Sequence, residues 1–263
     1  MPHSKLPPVL DPCCGSRMMY FDKNDPRVLF CDNRSLETTL CDGRKLTIRP
    51  DVLCDFRDLP FPNGTFRMAV FDPPHLTKGG ENSWIIKKYG KLPALDWKEY
   101  LRKGFQECWR VLGPEGTLIF KWSEEQIPVT DIYELFPKEP CYGNLARNNK
   151  QIFLIFHKDN QGELKIEFPE KDTKKEYTQK PSSLTILQLE EDFRREDWAC
   201  MLKDQYQKAY EKTQPGGCFI LQWYQQTASQ QEILDCLPDT PLFGNRAKGD
   251  RTVFLVFLKG PDN

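Results

Sequence analysis

Short apolar runs recur along the first part of the chain, separated by charged and turn-forming residues. Each run is only a few residues long, which favours strands over helices. The predicted strands are 6–10, 28–31, 52–54, 68–71, 117–121 and 151–156.

A different pattern separates the fourth and fifth runs. In "DWKEYLRKGFQECWRVL", large apolar residues recur every three or four positions, which predicts an amphipathic helix. Gly113-Pro114 would end it, and a second helix is expected over 129–135. Strands that alternate with helices or short crossovers imply a mainly parallel α/β sheet with covered faces. The apolar stripe consists of Trp97, Leu101, Phe105, Cys108 and Leu112.

The chain also resembles itself at a shift of 101 positions, where residues 96–158 align with 197–259 without a gap. The aligned stretch has 18 identities in 63 pairs, which include Trp122 with Trp223 and Gly143 with Gly244. A fixed internal offset of this kind indicates a repeated structural unit.

The copy is incomplete, because nothing after residue 159 resembles "LDPCCGS" or "FDPPH". Its lead-in is charged and rich in turn formers, which indicates a linker with a strand expected at 164–168. We therefore expect two α/β domains. Residues 1–158 would form a catalytic domain, and residues 159–263 a degenerate, non-catalytic partial repeat that packs on the first domain, mediates self-association or completes its cleft.

Composition narrows the class of protein. The chain has 263 residues, of which 39% are apolar and 29% charged, with a net charge of -1. A nucleic-acid partner would therefore need a local basic patch. No apolar run approaches the roughly 20 residues of a membrane span, and the start lacks a signal-peptide core, so we expect a cytoplasmic protein without membrane contact. The ten cysteines include no C-x-x-C pair, which favours reduced thiols and no metal site.

Acidic residues close several of the predicted strands. Asp11, Asp32, Asp55 and Asp72 each follow or end an apolar run. The carboxyl ends of parallel strands form the ligand-binding edge of such a sheet, and carboxylates gathered there repel one another unless a ligand with hydrogen-bond donors lies between them. Taken singly, each residue is equally consistent with a solvated turn or a cap.

In chain order, "LDPCCGS", "FCDNR", "DVLCDFRDLPF", "FDPPH" and "VLGPEGTLIFKW" resemble the motifs of class I S-adenosylmethionine-dependent methyltransferases. More narrowly, residues 6–158 resemble phage and bacterial proteins that carry D-P-P-[aromatic], the signature of amino methyltransferases acting on exocyclic nitrogens of adenine or cytosine. This resemblance implies a Rossmann-like sheet and S-adenosylmethionine as cofactor.

The resemblance also implies roles for seven cofactor-binding residues. The loop around the methionine part would consist of Asp11, Pro12, Cys14 and Gly15. Asp32 would bind the ribose hydroxyls, and Asp55 and Phe56 would meet the adenine ring.

The turn Asp72-Pro73-Pro74-His75 would face the nucleophile. An exocyclic amine is a poor nucleophile because its lone pair is delocalised into the ring. The Asp72 carboxylate and the Pro73 carbonyl would accept its two hydrogens, and the prolines stiffen the turn without adding a competing N–H donor. His75 stands where the wider family has Tyr, Phe or Trp, so its stacking area is smaller and the identity of the base stays open.

Basic and aromatic residues follow this turn in "LTKGGENSWIIKKYGKL" and in "FKWSEEQ". Such residues beside a cofactor pocket suit a loop that clamps a flipped-out nucleotide, although a solvated surface loop explains the pattern as well. The predicted substrate-binding residues are Lys78, Trp84, Lys87, Lys88 and Lys121.

These patterns together predict an N-methyltransferase acting on DNA or RNA. Two alternatives stay open at this point. One keeps the cofactor and changes the acceptor to a small molecule or a protein, and the other is a non-catalytic, cofactor-binding relative that serves as an interaction module.

Overall fold

The computed structural model describes residues 6–80, 82–143, 151–158, 182–189, 198–224, 227–244 and 252–260. Two sheets and a small hairpin contain its strands. In the same part of the chain, no helix is long and apolar enough to cross a membrane.

The larger sheet has seven strands in the order β5-β2-β1-β6-β7-β9-β8. The first five are parallel, and β9 is antiparallel to both of its neighbours. This is the Rossmann-like α/β sheet that the sequence predicts. Its strands are β1 Val9–Asp11, β2 Val28–Asp32, β5 Val52–Leu53, β6 Phe66–Phe71, β7 Leu112–Ser123, β8 Tyr142–Gly143 and β9 Gln151–Lys158.

Successive residues of the central strands face opposite sides of this sheet. On one side, Phe71 and Phe120 pack under helix α2 (Trp97–Val111) and the 3-10 helix Val129–Leu135. Helix α2 lies so close that a Cβ at Gly104 would fall 2.6 Å from Cζ of Phe71. Glycine at this position therefore lets the helix approach the sheet.

A second sheet covers the other side of the larger one. It has the order β10-β11-β13-β12, where β10 is Ser182–Gln188, β11 Thr213–Tyr224, β12 Phe243–Gly244 and β13 Thr252–Leu258. Phe153 of the first sheet meets Phe254 of the second, with ring centroids 4.5 Å apart. Helices α3 (Trp198–Lys212) and α4 (Gln230–Cys236) pack on the outer face of the second sheet. The layers are therefore helix, sheet, sheet and helix.

The second sheet takes the place of crossover helices. Residues 12–27 and 54–65, which are all described, form turns without any helix. Between β2 and β5, the chain instead forms a hairpin, β3 (Leu36–Thr39) with β4 (Lys45–Ile48), that has its own small apolar core. The predicted covered faces are present, but one is covered by strands of the second half.

Hydrogen-bonding registers of the two halves correspond at the same shift of 101 positions. In β7 and β9, Thr117 pairs with His157, and in β11 and β13, Cys218 pairs with Leu258. The indole of Trp122 donates to the carbonyl of Ile127 at 2.9 Å. Trp223 makes the equivalent bond to Ala228 at 2.8 Å.

The correspondence extends to a strand that the sequence analysis did not find. Strand β10 pairs with β11 in parallel, and the register shifts at the same point as between β6 and β7. Gln188 thereby lies opposite Gln222, at the positions that Asp72 and Lys121 have in the first half. The strand expected at 164–168 lies outside the described residues.

Three further details differ from the predicted elements. Helix α2 ends at Val111 and passes directly into β7, so Gly113-Pro114 forms part of an irregular strand start rather than a loop. The predicted helix over 129–135 is a 3-10 helix. A short helix, α1 (Trp84–Tyr89), and the hairpin β3–β4 were not predicted.

Candidate active site

The strand order reverses direction between β1 and β6, which are neighbours in space but are separated by β2, β3, β4 and β5 in the chain. Ligands of open α/β sheets bind in the crevice at such a point, outside the carboxyl ends of the strands. Asp11 ends β1, and Asp72 follows β6 immediately. Two of the predicted site residues therefore lie at the edge where the fold favours a ligand.

A cavity of about 250 Å³ lies at this edge. It brings together six of the predicted residues with others that the sequence analysis did not single out. The predicted residues in its lining are Asp11, Cys14, Gly15, Asp72, Lys88 and Lys121. The additional lining residues are Cys13, Ser16, Met18, Met19, Arg34, Tyr89, Gln151, Phe153 and Gly244.

Asp11 is almost fully buried at the base of this cavity, with 2% of its surface exposed. Burial raises the pKa of its carboxyl to about 8, the charges of Asp72 and Asp32 add to the effect, and the hydrogen bond from the Cys13 amide opposes it. Protonated Asp11 is the main form at neutral pH. A cationic ligand group placed beside it would favour the ionised form.

Asp32 holds the loop that follows β1. Its Oδ2 accepts a hydrogen bond from the Gly15 amide at 2.9 Å, and its Oδ1 accepts bonds from the Arg34 amide and guanidinium at 2.9 and 3.1 Å. Gly15 has φ of +51°, a conformation that glycine adopts without steric cost. A ribose diol at Asp32 would therefore have to replace the guanidinium of Arg34.

Asp55 and Phe56 lie away from the cavity. The carboxylate of Asp55 is bound by Arg57 at 2.6 Å. Phe56 is 3% exposed and packs edge-on against Phe71 and Tyr100, with centroids 5.2 and 5.1 Å apart. Neither residue belongs to the cavity lining, and neither does Pro12.

The Asp72 turn meets the end of β7 through an ion pair. Lys121 Nζ lies 2.5 Å from Asp72 Oδ2, and both side chains are largely shielded from solvent. Within the described part of the chain, no hydrogen bond occupies the other oxygen, Oδ1. Pro73 and Pro74 follow without backbone N–H groups, so the acceptors of this turn face no local donor.

His75 packs among aromatic rings at the end of the turn. Its ring centroid lies 5.5 Å from Tyr89 and 6.2 Å from Trp122. Burial lowers the pKa of the imidazole, and the charge of Lys121 adds to this while that of Asp72 opposes it. The ring is therefore mostly neutral at neutral pH and suited to stacking.

The predicted substrate loop is divided between two environments. Lys88 of α1 lines the cavity, and the Lys87 carbonyl accepts a bond from Arg34 at 3.3 Å. Lys78, in contrast, is joined to Gln126 through its backbone amide and carbonyl. Trp84 is 37% exposed, and the guanidinium of Arg44 lies 5.9 Å from its ring centre.

Residues from the second half also reach the site. Gly244, at the end of β12, lines the cavity together with Phe153 and Gln151 of β9. Tyr20, in the loop after β1, forms a bridge with Phe243. The internal repeat is the sequence signal that could have pointed to these residues of the second half. Its offset, however, does not tell which face of the first half the copy covers.

Across the described ranges, no group of three or more His, Cys, Asp or Glu could hold a metal ion. All ten cysteines are free; Cys14, Cys31, Cys108 and Cys218 are buried, whereas Cys41 and Cys200 are exposed.

Comparison with known proteins finds similar chains among the solved structures. No family model matches the chain, and no curated protein matches it either. Among solved structures, a 16S rRNA N2 methyltransferase (RsmC) of T. thermophilus, in complex with AdoMet and guanosine, is similar with a TM-score of 0.33 and 11% identity. The match covers 95% of this chain and 87% of that chain.

Proposed function

We propose that this protein is an S-adenosylmethionine-dependent methyltransferase that methylates an exocyclic amino nitrogen, adenine N6 or cytosine N4, of DNA or RNA. The observation that carries the proposal is the meeting of Asp11 and Asp72 at the switch point of a Rossmann-like sheet, in one cavity. Asp72 is followed there by two prolines and is paired with Lys121.

The cavity residues fit the methionine end of the cofactor. A buried carboxyl at Asp11 suits a cationic group, and Gly15 lets the loop backbone approach a ligand closely. Asp32 fits a ribose diol once Arg34 has moved from its carboxylate. When bound, the cofactor supplies an electrophilic methyl group on its sulfonium.

The residues of the Asp72 turn would prepare the amine that accepts the methyl group. Asp72 Oδ1 and the Pro73 carbonyl accept hydrogen bonds from the two N–H groups of the amine. These bonds draw its nitrogen toward a tetrahedral geometry. Lys121 binds the other oxygen of the Asp72 carboxylate, so this hydrogen-bond acceptor is positioned before the substrate arrives. Neutral His75 stacks on the base.

The second half is proposed to be a degenerate, non-catalytic repeat. At the positions equivalent to Asp72 and Lys121 it has Gln188 and Gln222. Glutamine at these two positions is compatible with the backbone pairing of the strands but lacks the carboxylate that would accept hydrogen bonds from an amine and orient it. We assign catalysis to residues 1–158 and a supporting role to residues 159–263.

Calorimetric titration of S-adenosylmethionine into wild type and Asp32→Ala tests the cofactor, and incubation with labelled cofactor and mixed DNA and RNA tests the acceptor. Binding weakened by Asp32→Ala, with label on a nucleic acid that disappears in Asp72→Ala, supports the proposal. Binding without transfer to any polymer favours a small-molecule or protein acceptor, or a non-catalytic role. Absence of binding overturns it.

A further inference from the structure

A second, larger cleft of about 670 Å³ adjoins the candidate active site. The two cavities share four lining residues, which form their common border: Gly15, Ser16, Met18 and Lys88. One wall of the larger cleft is the loop after β1, and the other is the hairpin β3–β4. The cleft therefore leads directly to the cavity that holds Asp72.

The cleft is strongly basic in a chain whose net charge is -1. Its lining contains six cationic side chains and a single carboxylate, Asp51. Both oxygens of Asp51 are already engaged, one by Arg17 at 2.8 Å and the other by the amide of Phe30 at 3.0 Å. The cationic residues are Arg17, Lys23, Arg44, Lys45, Arg49 and Lys88.

Arg17 fixes the two walls relative to each other. Its guanidinium donates to the carbonyl of Lys23 on the loop and to the carbonyl of Arg49 at the base of the hairpin, at 2.9 and 2.8 Å. The same group lies 4.0 Å from the ring centre of Phe30. The cleft is therefore pre-organised rather than formed on binding, which lowers the entropic cost of holding a ligand.

Three of the other cations lie at exposed positions along the cleft. Lys45 and Arg49 lie on the exposed face of β4 and its extension, where residues alternate between buried and exposed, and Lys23 is exposed on the opposite wall. In the part of the chain that the structure describes, no hydrogen bond or ion pair engages these three side chains. Glu37 lies across the hairpin, opposite Thr47, but does not belong to the lining.

We infer that this cleft binds the phosphate backbone of the nucleic-acid strand next to the target base, through Lys23, Lys45 and Arg49. The inference rests on the proposed function, because it assigns the strand to the same methyl-transfer site. A base that enters the smaller cavity must leave its stack, so the adjoining strand needs a separate binding track. Unpaired cations along a groove provide one without reading the sequence.

The test measures the binding of a fluorescein-labelled single-stranded oligonucleotide by anisotropy at a series of salt concentrations. The variant is Lys23→Gln/Lys45→Gln/Arg49→Gln. The control, Lys103→Gln/Lys203→Gln/Lys212→Gln, removes the same charge from exposed positions on α2 and α3, away from the cleft lining. Calorimetric titration of S-adenosylmethionine is run on all three proteins.

Three lost phosphate contacts would make the slope of log K against log salt shallower by about 2 in the cleft variant. The control is expected to keep the wild-type slope, and all three proteins the same cofactor affinity. The inference is overturned if the cleft variant keeps the wild-type slope, or if the slope of the control becomes as shallow as that of the cleft variant.

Two further outcomes separate this inference from the proposed function. Cofactor binding without any binding of the oligonucleotide at low salt overturns the inferred role of the cleft and leaves the cofactor assignment in place. Strand binding that depends on the three cations, without cofactor binding, supports the cleft and overturns the proposed methyl transfer.

Discussion

Lys121 Nζ lies 2.5 Å from Asp72 Oδ2, where the ends of two neighbouring parallel strands meet. The second half has the same two strands in the same register, but Gln188 and Gln222 occupy the corresponding positions. The strand pairing therefore does not require the ion pair. Because the charged pair occurs only in the half that carries the cavity, we attribute it to chemistry rather than to folding.

Substitution of Asp72 by Asn is expected to abolish most methyl transfer while leaving cofactor binding in place. Removing one pre-organised acceptor or donor in such a site typically costs about 10²–10³ in kcat. Transfer of labelled methyl, compared with calorimetric cofactor affinity, measures the two effects separately.

The second half provides a matched control for this prediction. The double variant Asp72→Gln/Lys121→Gln reproduces the amide pair of Gln188 and Gln222 in the first half. It is expected to fold with near wild-type stability and to lack methyl transfer. Activity in this variant comparable to wild type would contradict the role of the carboxylate.

Most of the larger sheet was predictable because its strands are buried on both faces and therefore appear as short apolar runs. The acidic strand ends Asp11 and Asp72 were predictable for the same reason, since they follow those runs directly. The hairpin β3–β4 was not, because it buries only a small core around Leu46 and Ile48 and most of its residues are polar.

Features that depend on side-chain conformation or on packing between distant segments could not be predicted. Nothing in "FCDNR" indicates that the Arg34 guanidinium binds Asp32, the residue expected to hold ribose. Likewise, Phe56 follows shortly after β5 as an adenine-contacting residue would, yet it is buried and packs against Tyr100. Gly244 reaches the cavity only because the second sheet packs on the first.

The buried carboxyl of Asp11 is expected to make stability depend on pH. Its pKa is about 8 in the folded protein and has an ordinary value of 3.8. Between these values the folded state binds more protons than the unfolded state, so stability falls as pH rises. Relative to Asp11→Asn, wild type should lose up to about 1.4 kcal/mol per pH unit across that window.

Urea unfolding at several pH values from about 4 to 9 measures this difference in unfolding free energy. A difference between wild type and Asp11→Asn that does not change with pH would contradict the burial of an ionisable group at this position.

His75 is expected to act through its ring and not through its charge. Burial lowers its pKa, so its protonation should not shape the activity profile at or above neutral pH. His75→Ala should weaken binding of the acceptor base by about 1–3 kcal/mol, the cost of losing a stacking partner. His75→Tyr should preserve activity. KM and kcat for labelled methyl transfer distinguish the variants, and a His75→Tyr variant as impaired as His75→Ala would contradict stacking.

Contacts between the two sheets are expected to make residues 1–158 dependent on the second half. Phe254 is 6% exposed and meets Phe153 across the interface, so Phe254→Ala should lower the free energy of unfolding by about 3–5 kcal/mol. Leu95→Ala is the control, because Leu95 is 95% exposed and should change it by no more than about 0.5 kcal/mol. Since the described residues form no crossover helix on the face that carries Phe153, a fragment of residues 1–158 should expose that face and aggregate. A soluble fragment that unfolds cooperatively in urea would show instead that the first sheet is stable without its cover.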